Sequence, residues 1–150
     1  MGTITSAQCN SFKVELYEAV HNFTASTGDT YKIALIKPSP TGSYGAGTTN
    51  YSNLTGNSDE ITGTGYTAGG VTLTDVTPTI DTNTAIVTFG SNPAWATATF
   101  SCAGAMIYNS SKSNKAVAVF SLGGTHTVAG ANFTLALPAA TAATALIRYL

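Results

Sequence analysis

The spacing of apolar residues predicts one helix, at the start of the chain. Apolar side chains at intervals of three and four residues define one face of it: Phe12, Leu16, Ala19, Val20 and Phe23. Thr5 and Gln8 have the spacing of a capping box, which predicts a helix over about residues 6–22. Glu15 and Glu18 fall off the apolar face, and they are interpreted as residues of a solvated outer surface.

The pattern changes to a period of two after residues 27–29. Tyr31, Ile33 and Leu35 alternate with their neighbours, which predicts a strand that ends before Pro38. Further strands are predicted over residues 71–76, 85–89, 97–107, 116–122, 125–128, 132–137 and 145–150. Glycines at 123–124 and at 129–131 are interpreted as turns between the later strands.

These elements define the expected fold class. Short strands rich in β-branched residues, with Gly and Pro between them, are typical of antiparallel sandwiches and barrels. We therefore expect a mainly β protein, an antiparallel β-sandwich of jelly-roll type with one N-terminal α-helix. The length of 150 residues fits one domain over residues 1–150. Residues 39–60 are rich in Gly, Ser, Thr, Asn and Tyr, which predicts an extended loop.

The composition shows that the chain contains few charged residues. Charged residues make up 9% of it, against about 25% in an ordinary soluble domain. The net charge of −1 and the pI of about 6.0 argue against nucleic-acid binding, and the apolar runs are too short to span a membrane. Scattered charges normally keep monomers apart, so we expect a homo-oligomer, a dimer or a trimer.

The sequence offers no recognisable catalytic set. His21 and His126 have no Asp, Glu or Cys at a characteristic spacing, so we expect neither an enzyme nor a metal site. Residues 63–70 (GTGYTAGG) match a dinucleotide fingerprint superficially, but a strand follows them where the fingerprint needs a helix. No cofactor is therefore expected. Cys9 and Cys102 are far apart and are interpreted as buried thiols.

Four apolar residues are the candidate interface anchors: Tyr44, Tyr51, Leu54 and Trp95. The first three lie in the expected loop, where exposed tyrosines offer a large contact area with few rotatable bonds. Trp95 is interpreted as a core or interface residue, with a sugar-stacking platform as the alternative.

Several sequence blocks occur in order along the chain: residues 12–23 (FKVELYEAVHNF), 29–35 (DTYKIAL), 60–70 (EITGTGYTAGG), 105–109 (AMIYN), 114–118 (NKAVA), 123–125 (GGT), 133–138 (FTLALP) and 145–148 (ALIR). Together they resemble a family of small structural proteins of tailed-bacteriophage virions. The resemblance spans most of the chain, although residues 39–57 depart from it.

The resemblance implies a capsid decoration or cement protein that binds and stabilises the shell of the major capsid protein. Its partners would be that capsid protein and copies of itself, with no nucleic acid and no membrane involved. It would be made in the cytoplasm of the bacterial host and reside on the capsid surface of the virion. The alternative is a head-fibre or tail component that contacts glycans on the host surface.

Overall fold

Two antiparallel sheets form the fold in the computed structural model, which describes residues 1–149. The elements are, in chain order, β1 (Ala7–Gln8), α1 (Asn10–Tyr17), β2 (Tyr31–Ile36), α2 (Ser52–Gly56), β3 (Val71–Thr72), β4 (Thr79–Asp81), β5 (Thr84–Val87), β6 (Ala94–Asn109), β7 (Lys115–Thr134) and β8 (Ile147–Tyr149). The larger sheet has the order β1-β7-β6-β2-β3 and the smaller one β4-β5-β8. The prediction of a mainly β, antiparallel, sandwich-like protein with an N-terminal helix is confirmed.

Strand β2 forms the centre of the core. It pairs with β6 from Tyr31 opposite Asn109 to Ile36 opposite Gly104, and β3 covers part of its other edge. Its predicted period of two is incomplete, because Ala34 and Ile36 are as fully buried as Ile33. Both faces of β2 are therefore covered, as in strands that lie inside a core rather than on its surface.

The hairpin of β6 and β7 is the longest feature of the fold, and it corrects the predicted turns. Cys102 pairs with His126 and Gly104 with Ser121, so residues 122–125 bulge outward opposite Ala103. A second irregularity lies at Gly130, which has a φ of +64°. Bulges take up extra residues without reversing the chain. The strands predicted over 116–122, 125–128 and 132–137 are consequently one strand up to Thr134.

Helix α1 is shorter than predicted at both ends. At its start, residues 7 and 8 pair with β7 as β1, and the N-cap Cys9 has no side-chain capping bond, so the predicted capping box is wrong. At its end, Ala19 has a φ of 56°. The amide of Val20 donates to the Glu15 carbonyl (3.0 Å) and that of Ala19 to the Leu16 carbonyl (3.2 Å). This is a Schellman motif, which ends the helix and turns the following residues back toward the sheet.

The segment over residues 39–60, predicted as an extended loop, contains α2 and is held by the buried carboxylate of Asp59. That carboxylate accepts hydrogen bonds from the amides of Thr41 (2.8 Å) and Gly42 (2.7 Å) and from the Tyr44 hydroxyl (2.6 Å). Burial alone would raise the pKa of Asp59, but these donors and the nearby Lys37 ammonium lower it below its ordinary value of 3.8.

The remaining strands are short. The strand predicted over 71–76 covers only Val71–Thr72, and the one predicted over 85–89 runs from Thr84 to Val87. The last predicted strand begins at Ile147 rather than 145, and Leu150 lies outside the described residues. β1 and β4 were not predicted, because two or three residues are too few to show a period of two.

Replacement of Ala19 by glycine tests the helix end. Glycine adopts a left-handed φ without the steric cost of a Cβ atom, so Ala19→Gly is expected to raise the free energy of unfolding by about 0.5–1 kcal/mol. Urea denaturation measures this as a higher midpoint with an unchanged slope. Ala143→Gly, at an exposed alanine without a positive φ, is the control and is expected to lower stability slightly. Equal shifts in the two variants would contradict the Schellman ending.

Candidate functional site: a buried polar network and an uncharged ribbon

The largely buried carboxylate of Glu15 joins α1 to the start of β7. His21 Nε2 lies 2.8 Å from Glu15 Oε2, and Lys115 Nζ lies 2.6 Å from Glu15 Oε1. The His21 side chain is fully buried, and Glu15 is 7% exposed. The interpretation of Glu15 as a solvated residue is therefore wrong. His21 has a carboxylate partner because the turn at Ala19 folds it back along α1, and no residue spacing in the sequence indicates this contact.

Asn109 extends the network from the end of β6. Its amide nitrogen donates to His21 Nδ1 (3.0 Å) and to Asp29 Oδ2 (2.8 Å), while its amide oxygen accepts from the Ser111 amide (3.1 Å). Both amide hydrogens are thereby used. His21 Nδ1 must act as the acceptor, which leaves the ring proton on Nε2, where it is donated to Glu15. The geometry thus fits a neutral imidazole in one tautomer.

Asp29 closes the network on the side of the chain that precedes β2. Asp29 Oδ2 also accepts from the Asn22 amide (2.9 Å), and Lys112 Nζ lies 3.6 Å from Asp29 Oδ1. Burial would raise the pKa of Asp29, but the bonds from Asn22 and Asn109 lower it below its ordinary value. In the same way, the contacts from Lys115 and His21 outweigh burial and lower the pKa of Glu15.

The network has the parts of an acid–base site but no access for a substrate. A general base must reach a proton on the substrate, whereas both nitrogens of His21 are occupied and its side chain is fully buried. Within residues 1–149, no group of three His, Cys, Asp or Glu side chains could hold a metal ion. Cys9 and Cys102 are free and buried as predicted, and burial raises their pKa values to about 12 and about 11. The buried polar network therefore has a structural role: it joins α1, the segment over residues 21–29 and the end of the hairpin.

Three of the four candidate interface anchors lie inside the core. Tyr44, Leu54 and Trp95 are 2%, 0% and 3% exposed, and Tyr51 is half-buried. The expected exposure of Tyr44 and Leu54 is wrong because both find their contacts within the chain, whereas the position of Trp95 agrees with its interpretation as a core residue. The Tyr44 hydroxyl is bound to Asp59, and the Trp95 ring packs among other aromatic rings. A new contact surface must therefore come from other residues.

Tyr51 belongs to a second polar cluster, centred on Glu60. The Glu60 carboxylate accepts from the Tyr51 hydroxyl (2.5 Å), the Tyr66 hydroxyl (2.7 Å) and the Gly69 amide (2.7 Å). The Tyr51 ring also stacks on Tyr108, with centroids 4.5 Å apart. This cluster fixes the loop before β3, and composition alone gave no sign of it.

The exposed part of the β6–β7 hairpin carries a face without charge, here called the ribbon face. Thr99 pairs with Ala129 and Ser101 with Thr127, so these four side chains share one side of the ribbon. Ser101 Oγ and Thr127 Oγ1 lie 2.7 Å apart. The opposite side carries Phe100, which packs into the aromatic core. Lys115 is the only Lys, Arg, Asp or Glu in either strand.

A scan against models of protein families found no match, and neither did searches of curated proteins and of solved structures. In the part of the chain that the structure describes, no helix is long and apolar enough to cross a membrane.

The Asn109 amide is expected to be the most sensitive position of the buried network. Asn109→Leu leaves His21 Nδ1 and one Asp29 contact without a donor, so it should lower the free energy of unfolding by about 2–4 kcal/mol. Urea denaturation at pH 7 measures the change. Asn83→Leu, at an exposed turn residue, should stay within about 0.5 kcal/mol of the wild type. A loss at Asn109 no larger than that at Asn83 would show that the network does not stabilise the fold.

Asp75 differs from the other buried carboxylates because its pKa is raised rather than lowered. Its replacement is therefore expected to stabilise the protein rather than destabilise it. Its Oδ1 atom is buried without a partner, and burial together with the nearby Asp29 carboxylate raises its pKa from 3.8 to about 6. A raised pKa means that the fold disfavours the ionised form, so this residue costs stability as the pH rises from 3.8 through about 6.

Asp75→Asn should therefore stabilise the protein at pH 8, by on the order of 1 kcal/mol, and have little effect near pH 4. Unfolding curves at a series of pH values measure it. Asp29→Asn is the matched control with the reverse sign, because a lowered pKa contributes stability that is present above 3.8 and lost as the pH falls further. A pH-independent effect of Asp75→Asn would contradict the burial of its charge.

Proposed function

We propose that the chain is a structural protein of a tailed-bacteriophage particle, a capsid decoration or cement protein that binds the shell of the major capsid protein. The ordered sequence blocks support the class of protein. The ribbon face is the observation that carries the binding role, because it is a β surface open to solvent and without charge.

The ribbon face has the chemistry of a buried contact. Interfaces are depleted of charged residues at their centre, since an unpaired charge that loses its water is costly. Free soluble domains instead place Lys and Glu on exposed strands, which keeps copies apart. Thr99, Ser101, Thr127 and Ala129 are small and uncharged, so a partner surface can approach them at little desolvation cost.

The sequence blocks and the ribbon face have separate roles. Glu15 and His21 lie in the block 12–23, and Asp29 lies in the block 29–35. Asn109 and Lys115 lie in the blocks 105–109 and 114–118. The blocks thus supply the buried network that holds the scaffold, whereas the ribbon face lies outside them. A family of this kind would share the scaffold and vary the contact surface.

The proposed mechanism is linkage between binding and shell assembly. A protein that binds the assembled shell and not its separated subunits stabilises the shell in proportion to the logarithm of its free concentration over Kd. Many copies on one shell would each contribute a modest contact. Where copies are joined to one another, avidity would strengthen their attachment further.

Reconstitution on stripped particles tests the proposal. Particles that lack the protein should lose DNA at a lower temperature, and added wild-type protein should restore their heat resistance. Ser101→Arg places a charge in the ribbon face and should weaken binding at least about tenfold, or 1.4 kcal/mol. Ser52→Arg, at an exposed serine of α2, is the matched control and should bind as the wild type does.

The same particles separate cement from the alternative role. Weak shells with normal adsorption to cells support cement, whereas intact shells that fail to adsorb support a head-fibre or tail component that contacts host glycans. That alternative has less support, because Trp95, the candidate for sugar stacking, is 3% exposed and packs against Phe100 and Phe133.

A further inference from the structure

The outer edge of β7 lacks a backbone partner over much of its length. β1 pairs only with Val119 and Ala118, and the Ser6 hydroxyl accepts from the Ser121 amide. From residue 122 to 134, β7 pairs with β6 on one side, and within residues 1–149 no backbone group bonds to its other side. A row of free N–H and C=O groups on an edge is a template for another strand.

This edge also lacks the features that usually protect edges. Natural edge strands are commonly blocked by Lys, by inward charges or by Pro. Residues 116–137 contain no Lys, Arg, Asp, Glu or Pro. Register irregularities interrupt this stretch, and between those at residues 122–125 and Gly130 the segment His126–Ala129 keeps a regular register with Cys102–Thr99. This short regular segment is the part of the edge that can accept a strand.

We propose that the β7 edge of one chain pairs antiparallel with the β7 edge of a second copy, around Thr127. An antiparallel pair of identical edges is complementary to itself about a twofold axis, because each donor meets the acceptor of the other copy. The absence of charge means that the axis brings no like charges together. A strongly charged peptide, in contrast, would find no counter-charge on this edge.

The surroundings of the edge favour the same occupant. An apolar groove of about 160 Å³, lined by Phe120, Leu122, Leu135 and Leu137, opens where residues 120–122 begin the free edge. Where the second copy extends past residues 126–129 to this groove, it would remove apolar surface from water. The two ribbons would join as β6-β7-β7-β6, four strands where each copy alone exposes two. Self-pairing does not depend on the phage assignment.

Introduction of a charge at Thr127 tests the pairing in the absence of any shell. Thr127→Glu and Thr127→Lys each place like charges opposite one another, so each should weaken self-association at least tenfold in sedimentation velocity. An equimolar mixture of the two variants should restore it, which a variant that had merely misfolded would not do. Hydrogen exchange in residues 126–129 of the wild type should slow as the protein concentration rises.

Thr72 provides the matched control, because it is an exposed threonine on β3, at the other edge of the same sheet. Thr72→Glu should leave self-association unchanged. A wild type that stays monomeric up to about 100 µM would overturn the proposal. So would Thr127 variants that associate as the wild type does, or a mixture that fails to restore association. Since shells are absent, none of these results bears on the cement role, which Ser101→Arg tests separately.

Discussion

The Asn109 amide is the contact on which the rest of the arrangement depends. It is buried at the end of β6, and its two amide hydrogens bridge two acceptors, an imidazole nitrogen and a carboxylate. Buried polar groups stabilise a structure only when every one of them is satisfied, because an unpaired member keeps its full desolvation cost. Asn109 thereby fixes the tautomer of His21, and His21 in turn fixes the end of α1 against the hairpin.

The few charges of the chain are concentrated where loops must be held. Three ion pairs lie within residues 1–149, Lys37–Asp59, Lys112–Asp29 and Lys115–Glu15, and the neutral His21 ring adds a hydrogen bond to Glu15. Each includes a carboxylate that is largely buried, and each connects segments far apart in sequence or closes a loop. The placement of the charges thus matters as much as their small number. The carboxylates of these contacts act inside the fold, and the ribbon face and the β7 edge carry no Lys, Arg, Asp or Glu.

The sequence indicated the strands better than it indicated their limits. The apolar residues of β2 and of the second half of β6 reflect burial, which is a property of each residue and can be seen locally. The end of α1 could not be predicted from the sequence, because Ala19 takes a left-handed conformation in which glycine is expected. The bulge at Gly130 was mistaken for a turn, since a positive φ serves both. Tyr44 seemed exposed because its partner, Asp59, lies fifteen residues away.

The ribbon face and the free β7 edge point in different directions, and this has a consequence for assembly. Side chains of a strand stand roughly perpendicular to the sheet, whereas its free backbone groups point along the plane of the sheet. A partner bound to Ser101 and Thr127 on the ribbon face therefore need not compete with a copy paired through the β7 edge. A pair joined at the edge would present two ribbon faces at once, so each copy could rest on a different subunit of an underlying lattice. Bridging of that kind needs no large single interface, because the second contact forms at the high effective concentration set by the first.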